Sequence, residues 1–420
     1  MRTRTRKRFR ALLLACGTCL ASPALAETNL TFGTLLSELD GYDSPQYGLA
    51  ARQAVGTLNA AGSAAVRYGH EALGLDEAGP LARGLYTATA YQALLRFQWA
   101  NSLYFGHEGS HFARAHHFGL GEHYFRDTDT GERLSNWDAY RNIFLNLEVG
   151  GPAVSSGHID HDEDYDENGI MATAVGLNWQ MDYSEHWLRQ ALSFQDKDAF
   201  DAPEFFMNRL YFMGYATGDI LRRKDGDTTG DVFKWARHME SEGFSGDNTL
   251  EKVAAYSAVA NVLSPQFWNA AGSIGTYIAN GDAGSDFALT ETSAGSYGWD
   301  IPHYLNRSSM TVAPTFYWTP KTSKPDEALL FGAGIELPVL GEADPELRLS
   351  ATGRHEKISY DTTLALGGAG AYTEASVNYH LGDNFALNFG GALGRGETLG
   401  QARQMPAEDA AAWAGVQFNF

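Results

Sequence analysis

Residues 371–381 read AYTEASVNYHL. Ala371, Thr373, Ala375, Val377, Tyr379 and Leu381 fall on one side of an extended chain, and Tyr372, Glu374, Ser376, Asn378 and His380 on the other, because successive side chains of a strand alternate. A turn at Gly382-Asp383 leads to a second strand, in which Phe385, Leu387 and Phe389 face one way and Asn384, Ala386, Asn388 and Gly390 the other. Leu347, Leu349 and Ala351 alternate in the same manner with Glu346, Arg348, Ser350 and Thr352. One apolar face and one polar, small-residue face is the pattern of strands with lipid outside and a lumen inside. A soluble sandwich alternates too, with its apolar face turned inward.

Working outward, such segments occupy 286–299, 309–319, 327–339, 346–354, 356–368, 369–381, 384–396 and 411–420, which makes about eight strands. The chain stops at Phe420, with Phe418, Val416, Ala414 and Ala412 on the same face. A last strand that closes on an aromatic resembles the assembly signal of Gram-negative outer-membrane barrels, and Phe316, Tyr317, Trp318 and Trp413 are candidates for the interfacial girdles. The expected fold is α+β and multi-domain. A signal peptide covers 1–26, a mainly helical domain 27–285, and an antiparallel transmembrane β-barrel 286–420, in contact with outer-membrane lipid. Eight strands close a barrel whose interior is filled by side chains, an anchor or platform and not a pore.

Arg2, Arg4, Arg6, Lys7, Arg8 and Arg10 precede an apolar stretch from Ala11, and Ala24-Leu25-Ala26 supplies the small residues of a cleavage site. That is the three-part secretory signal. Leu13-Leu14-Ala15-Cys16 loosely resembles a lipobox. Cys16 and Cys19 both lie in this segment, so the mature chain is expected to contain no disulfide. Losing those six basic residues leaves 25 Lys and Arg against 51 Asp and Glu, a charge of −26. Nucleic acid is not an expected partner of so acidic a chain. No run of 18 apolar residues follows the signal, so only strands are expected to cross a membrane.

Between the signal and the strands the periodicity is helical. Ser44-Pro45 opens a helix from about Gln46 to Leu73, rich in Ala and Gly, which suits close helix packing or contact with a membrane surface. A longer helix, about Leu85 to His117, contains Gly106-His107-Glu108-Gly109-Ser110-His111. Two histidines at i and i+4 sit one above the other and are able to share a metal ion. Tyr91, Leu95, Trp99 and Leu103 step by four along one stripe that His107 and His111 continue, so the pair extends the buried face. Core histidines satisfied by hydrogen bonds are the alternative.

This HExxH segment resembles the zincin metallopeptidases. The resemblance implies a Zn2+ ion on His107 and His111, with Glu108 as the general base that takes a proton from water at the metal. His117 has the spacing of the third histidine in metzincins, but Arg114 stands where that class turns on a glycine. The gluzincin arrangement draws a glutamate from a later helix, and Ser135-Asn136 opens one that runs to about Val149 with Tyr140, Phe144 and Glu148 on one stripe. Glu148 is the preferred third ligand, with His117, His158 and His161 as alternatives.

Two acidic stretches add oxygen ligands. Asp164, Asp166, Asn168 and Gly169 match the opening of an EF-hand-type Ca2+ loop, but Val175 stands where the closing glutamate belongs. Asp225-Gly226-Asp227-Thr228-Thr229-Gly230-Asp231 is a second such turn, and a solvated acidic loop accounts for both. His107, His111, His116 and His117 also resemble the histidine boxes of membrane di-iron desaturases, which need membrane-spanning helices that this chain lacks. No G-x-S-x-G elbow is present. The expected function is an outer-membrane zinc metalloprotease acting on a protein or peptide substrate. The alternative is a non-enzymatic barrel protein whose helical domain is a binding module.

Overall fold

A computed structural model describes residues 29–32, 47–117 apart from 76, 122–145 apart from 128 and 129, 154–159, 165–224 apart from 195 and 196, 230–321 apart from 285, 286 and 288, 327–396 apart from 369, 383 and 384, and 410–419. The expected signal peptide, Glu148, His161 and Phe420 lie outside the described residues, as do the side chains of His117 and His158.

Helix α1 (Tyr47–Ala72) follows the expected bounds. Its small residues serve close packing: a Cβ on Gly62 would meet the Phe97 ring at 2.9 Å and Leu94 at 3.0 Å. Residues 80–117 form one helical rod of changing pitch. It consists of α2 (Pro80–Tyr86), a π turn (Thr87–Tyr91), α3 (Gln92–Asn101), a second π segment (Ser102–Glu108) and α4 (Gly109–His117). Pro80 starts it at a position where a missing N–H costs nothing. A two-stranded pair, β2 (Glu122–Asp127) and β3 (Val154–Ile159), flanks α5 (Asn136–Leu145), which Ser135 caps by accepting from the Asp138 N–H at 3.2 Å. Then come α6 (Tyr165–Phe194), α7 (Ala202–Lys224), α8 (Asp231–Ser241), α9 (Thr249–Leu263) and α10 (Pro265–Asn280).

The remaining strands belong to one antiparallel sheet: β4 (Thr290–Thr292), β5 (Gly295–Asp300), β6 (His303–Leu305), β7 (Ser309–Val312), β8 (Thr315–Pro320), β9 (Glu327–Gly341), β10 (Glu346–His355), β11 (Ile358–Gly367), β12 (Gly370–Gly382), β13 (Phe385–Gly396) and β14 (Ala410–Asn419). The strand β1 (Asn29–Phe32) pairs with β14, so the N-terminal region contributes an edge. From 327 onward the expected strands and the observed ones agree within two residues at each end. Both earlier segments are divided: 286–299 by a turn at Ser293-Ala294, and 309–319 by Pro314, because proline cannot donate to a ladder.

Two expectations need correction. The sheet has 12 strands, not about eight, and its path runs β1-β14-β13-β12-β11-β10-β9-β8-β5-β4 without returning on itself among the described residues. It is not closed into a barrel. Helices and strands are in contact: α6 packs on β6, β9 and β10, and α1 packs on β1. A helix therefore lies against the inner face of the sheet, where side chains alone were expected to fill the space.

The polarity of the two faces is the expected one. Phe316, Trp318, Phe331, Ile335, Leu347, Leu349, Val377, Tyr379, Phe389 and Leu393 are all exposed on the outer face. They lie beside one another through the register, as in Ile335↔Leu347, Trp318↔Phe331 and Val377↔Phe389. The inner face carries buried Glu336, Glu346, Arg348, Thr352, Tyr372 and His380. It grips α6 through charges. Arg189 reaches Asp361 at 3.1 Å and Thr363 at 2.8 Å; Arg348 reaches Glu185 at 3.0 Å; His186 lies 3.2 Å from Asp361. Arg52 on α1 joins Asp182 at 3.2 Å and pairs with Glu374.

This inversion gives an unusual mutational signature. Arg348→Ala strips the buried Glu185 and Glu336 of a cation and is expected to cost about 3–5 kcal/mol, as removal of one partner of a buried pair does. Leu349→Ala, the next residue on the outward face, is expected to change stability in detergent by about 0.5 kcal/mol or less, the usual range for surface sites. Denaturant midpoints of the two variants check this. A larger loss at Leu349 would mean that the apolar face is the packed one.

Candidate metal centre

His107 and His111 straddle the point where the second π segment gives way to α4. A π turn inserts a residue and rotates the faces beyond it. Burial accordingly runs all round the rod from Ala100 to Phe112, and not only along the Tyr91–Leu103 stripe. The two imidazoles are 1% and 6% exposed.

Both rings turn their Nδ1 atoms toward α6. His111 Nδ1 donates to the Ala172 carbonyl at 2.5 Å, and His107 Nδ1 lies 3.2 Å from Oε1 of Gln180. In the neutral rings these acceptors favour the proton on Nδ1 and leave the two Nε2 atoms, 3.1 Å apart, as the ligand positions. Gly176 makes the approach possible, since a Cβ there would sit 2.6 Å from His111 Nε2 and 2.8 Å from His107 Nδ1.

The third corner is Asp231. Its Oδ2 lies 3.3 Å from His107 Nε2 and 3.2 Å from His111 Nε2. Ligands of a tetrahedral zinc ion with bonds of about 2.0–2.1 Å are separated by about 3.3 Å, so this triangle has the dimensions of one face of such a site. Among the described residues it is the one group of three or more His, Cys, Asp or Glu with ligand atoms within 4.8 Å of one another.

Asp231 is held by the start of α8. Gly230 precedes it, and Asp219 on α7 caps the helix by accepting from the Phe233 N–H at 2.9 Å. A Cβ on Gly230 would meet Asp219 Oδ1 at 1.9 Å, so only glycine admits that cap. Burial pushes the Asp219 carboxyl up to about 6, against the opposing pull of Arg222.

The electrostatics describe a cavity that wants a cation. Burial would depress His111, yet the Asp231 carboxylate overrides it and lifts the imidazole to about 9. For Asp231, burial works upward and the two histidines outweigh it, holding the carboxyl well below its ordinary value. Tyr211 stands edge-on to His107 at 5.3 Å and Tyr215 lies 5.8 Å from it. Burial raises both phenols well above their usual value. Glu108, next to His107 in the chain, is buried at 3% exposure, and its charge acts on both His111 and Tyr211.

The structure thus brings together His107, His111 and Glu108 and adds Asp231 as the third corner. Glu148 lies outside the described residues, beyond the end of α5 at Leu145. The rod continues through Arg114 to His117 without the metzincin turn, which carries the His117 backbone about 9 Å along the axis from His111. His158 is in β3. The segment that opens like a calcium loop is in part helix: Asp166–Gly169 lie in the first turns of α6, and Val175 is buried in it. Asp231 stood in the second acidic turn. An acid in the first turn of a helix is ordinarily explained by the helix dipole, so its sequence context carries no metal signal.

No protein-family model, curated protein or solved structure matches this chain. The likeness to zincins therefore rests on Gly106–His111 alone.

Two substitutions test the centre without touching a ligand. Gly176→Ala drives a methyl group into both imidazoles and is expected to abolish metal uptake. Gln180→Leu removes the partner of His107 and is expected to weaken the metal by about 10–100-fold, the usual effect of such supporting contacts. Equilibrium dialysis with Zn2+ reads both effects. Unchanged affinity in both variants would place the metal elsewhere.

Proposed function

We propose that this chain is a zinc-dependent hydrolase seated in the outer membrane, cleaving peptide bonds in an envelope protein or peptide. The observation that carries the reading is the His107–His111–Asp231 triangle, with buried Glu108 next to His107 in the chain. Two neutral imidazoles and one carboxylate leave a fourth position open, which is the arrangement of a hydrolytic rather than a closed structural zinc site. A divalent ion held there would polarise a carbonyl and acidify water.

The chain's own groups supply the rest. Glu108 accepts the proton of the attacking water and returns it to the leaving amine. Gln180 and the Ala172 carbonyl keep the imidazoles in their metal-binding tautomer. Tyr211 excludes bulk water on the His107 side. The burial of the site suits an extended peptide segment or a small molecule rather than a folded surface.

Seating in the membrane is supported by the sheet's exposed apolar face and the charged face opposite it. No helix among the described residues is long and apolar enough to cross a membrane, so the strands are the elements proposed to do so. A second reading, a metal-stabilised binding module, is favoured by the near-complete burial of both histidines.

Glu108→Gln separates the readings, because it removes the base and keeps the ligands. Zinc-loaded protein in detergent is incubated with a mixed peptide library, and products are read by mass spectrometry. Hydrolysis by the wild type, its loss on chelation, and a fall of about 100-fold or more in Glu108→Gln with full zinc content are expected, the usual range for a general base. Wild-type protein that holds zinc and cleaves nothing would leave the binding module.

A further inference from the structure

Helix α9 turns an apolar face to its surroundings. Its exposed positions are Ala255, Tyr256, Val259, Val262 and Leu263, which at 3.6 residues per turn form one stripe. Every exposed residue on that stripe from Ala255 onward is apolar. The buried side of the same helix mixes Leu250, Val253 and Ala260 with Thr249, Ser257 and Asn261. A helix docked on a soluble core turns polar residues outward.

A second observation concerns the helix end. The last carbonyls of a helix lack intrahelical partners, and at an aqueous surface water satisfies them. Here indoles do. Trp268 Nε1 donates to the Val262 carbonyl at 2.9 Å, and Trp299 Nε1 to the Leu263 carbonyl at 3.4 Å. Both tryptophans are themselves exposed. Satisfying backbone groups from within is what a solvent without hydrogen bonds demands.

The stripe is also continuous with the outer face of the sheet. Trp299 is on β5, and its cross-strand neighbour is the exposed Phe316 of β8. At the other end of the helix, Glu251 pairs with Arg223 of α7, both half-exposed, which marks a polar boundary.

We propose that the C-terminal two-thirds of α9 rests in the acyl chains of the same bilayer that contacts the sheet. The lipid-facing belt then passes from the strands onto a helix instead of ending at Trp299. The residues from Ala255 to Leu263 span about 12 Å of helix axis, less than half of a hydrocarbon core of about 30 Å, so the contact is with one leaflet. This inference rests on the membrane reading above and has its own test.

Val259→Cys, in a chain also carrying Cys16→Ser and Cys19→Ser, is labelled with a polarity-sensitive fluorophore. Position 259 is half-exposed, so the label does not displace the core. Leu349→Cys reports the sheet's outer face and Glu242→Cys an exposed polar turn. Each protein is placed in phosphatidylcholine vesicles with and without bromine on the acyl chains. Contact with acyl chains predicts a drop to about half the unbrominated emission at 259 and 349 and none at 242, as for an apolar face sunk into the acyl region. Quenching at 349 without quenching at 259 overturns the inference and leaves the membrane reading standing. Absence of quenching at both overturns the two together.

Discussion

The charged contact between α6 and the inner face of the sheet is the interaction on which the other features depend. Arg189 on Asp361, Arg348 on Glu185 and Arg52 on Asp182 and Glu374 hold a 30-residue helix against strands whose apolar side points away from it. In an ordinary two-layer protein the apolar faces meet and the charges point to water. Here hydrophobic burial is shared in one cluster, with Trp187, Leu188 and Leu192 of α6 and Tyr317 and Leu330 of the sheet, and paired charges and the Tyr304 hydroxyl donating to Glu185 at 2.6 Å set their relative position. Such pairs add little net stability over an apolar substitute, but they are unforgiving of a lost partner. That suits a contact whose task is to fix one position.

The same helix builds the metal centre. Ala172, Gly176 and Gln180 recur every four residues and so share one face, which meets the histidines. Asp182, Glu185, His186 and Arg189 form the face held by α1 and the sheet. A displacement of α6 would therefore unpair charges on one side and mis-set the imidazoles on the other. The rod of residues 80–117 contributes the second constraint, because its π segment turns both His107 and His111 toward α6. The fold thus positions the site through one shared element.

Much of this was legible in the chain where the signal is local. The period-two alternation from 327 onward located six strands closely and gave the correct polarity of their faces, since alternation is a property of each strand alone. It did not reveal what lies against the polar face, and that is why a side-chain-filled lumen was expected where α6 sits. The turn at Ser293-Ala294 and Pro314 divided the earlier segments into short strands that carry too few residues to show a period. The four-residue spacing of His107 and His111 is local too, and it brought them together as expected. Asp231 comes from a distant helix start, where acids are common for a different reason, so only the packing of α8 on α6 identifies it.

The account's central claim is that one ion sits between two imidazoles and one carboxylate. X-ray absorption at the zinc edge of the metal-loaded protein tests it most directly. The predicted result is a first shell of nitrogen and oxygen at about 2.0–2.1 Å, no sulfur, and outer-shell scattering from two imidazole rings, with one ring lost in His107→Ala. A zinc shell made of oxygen alone, or one unaltered by that substitution, would contradict it.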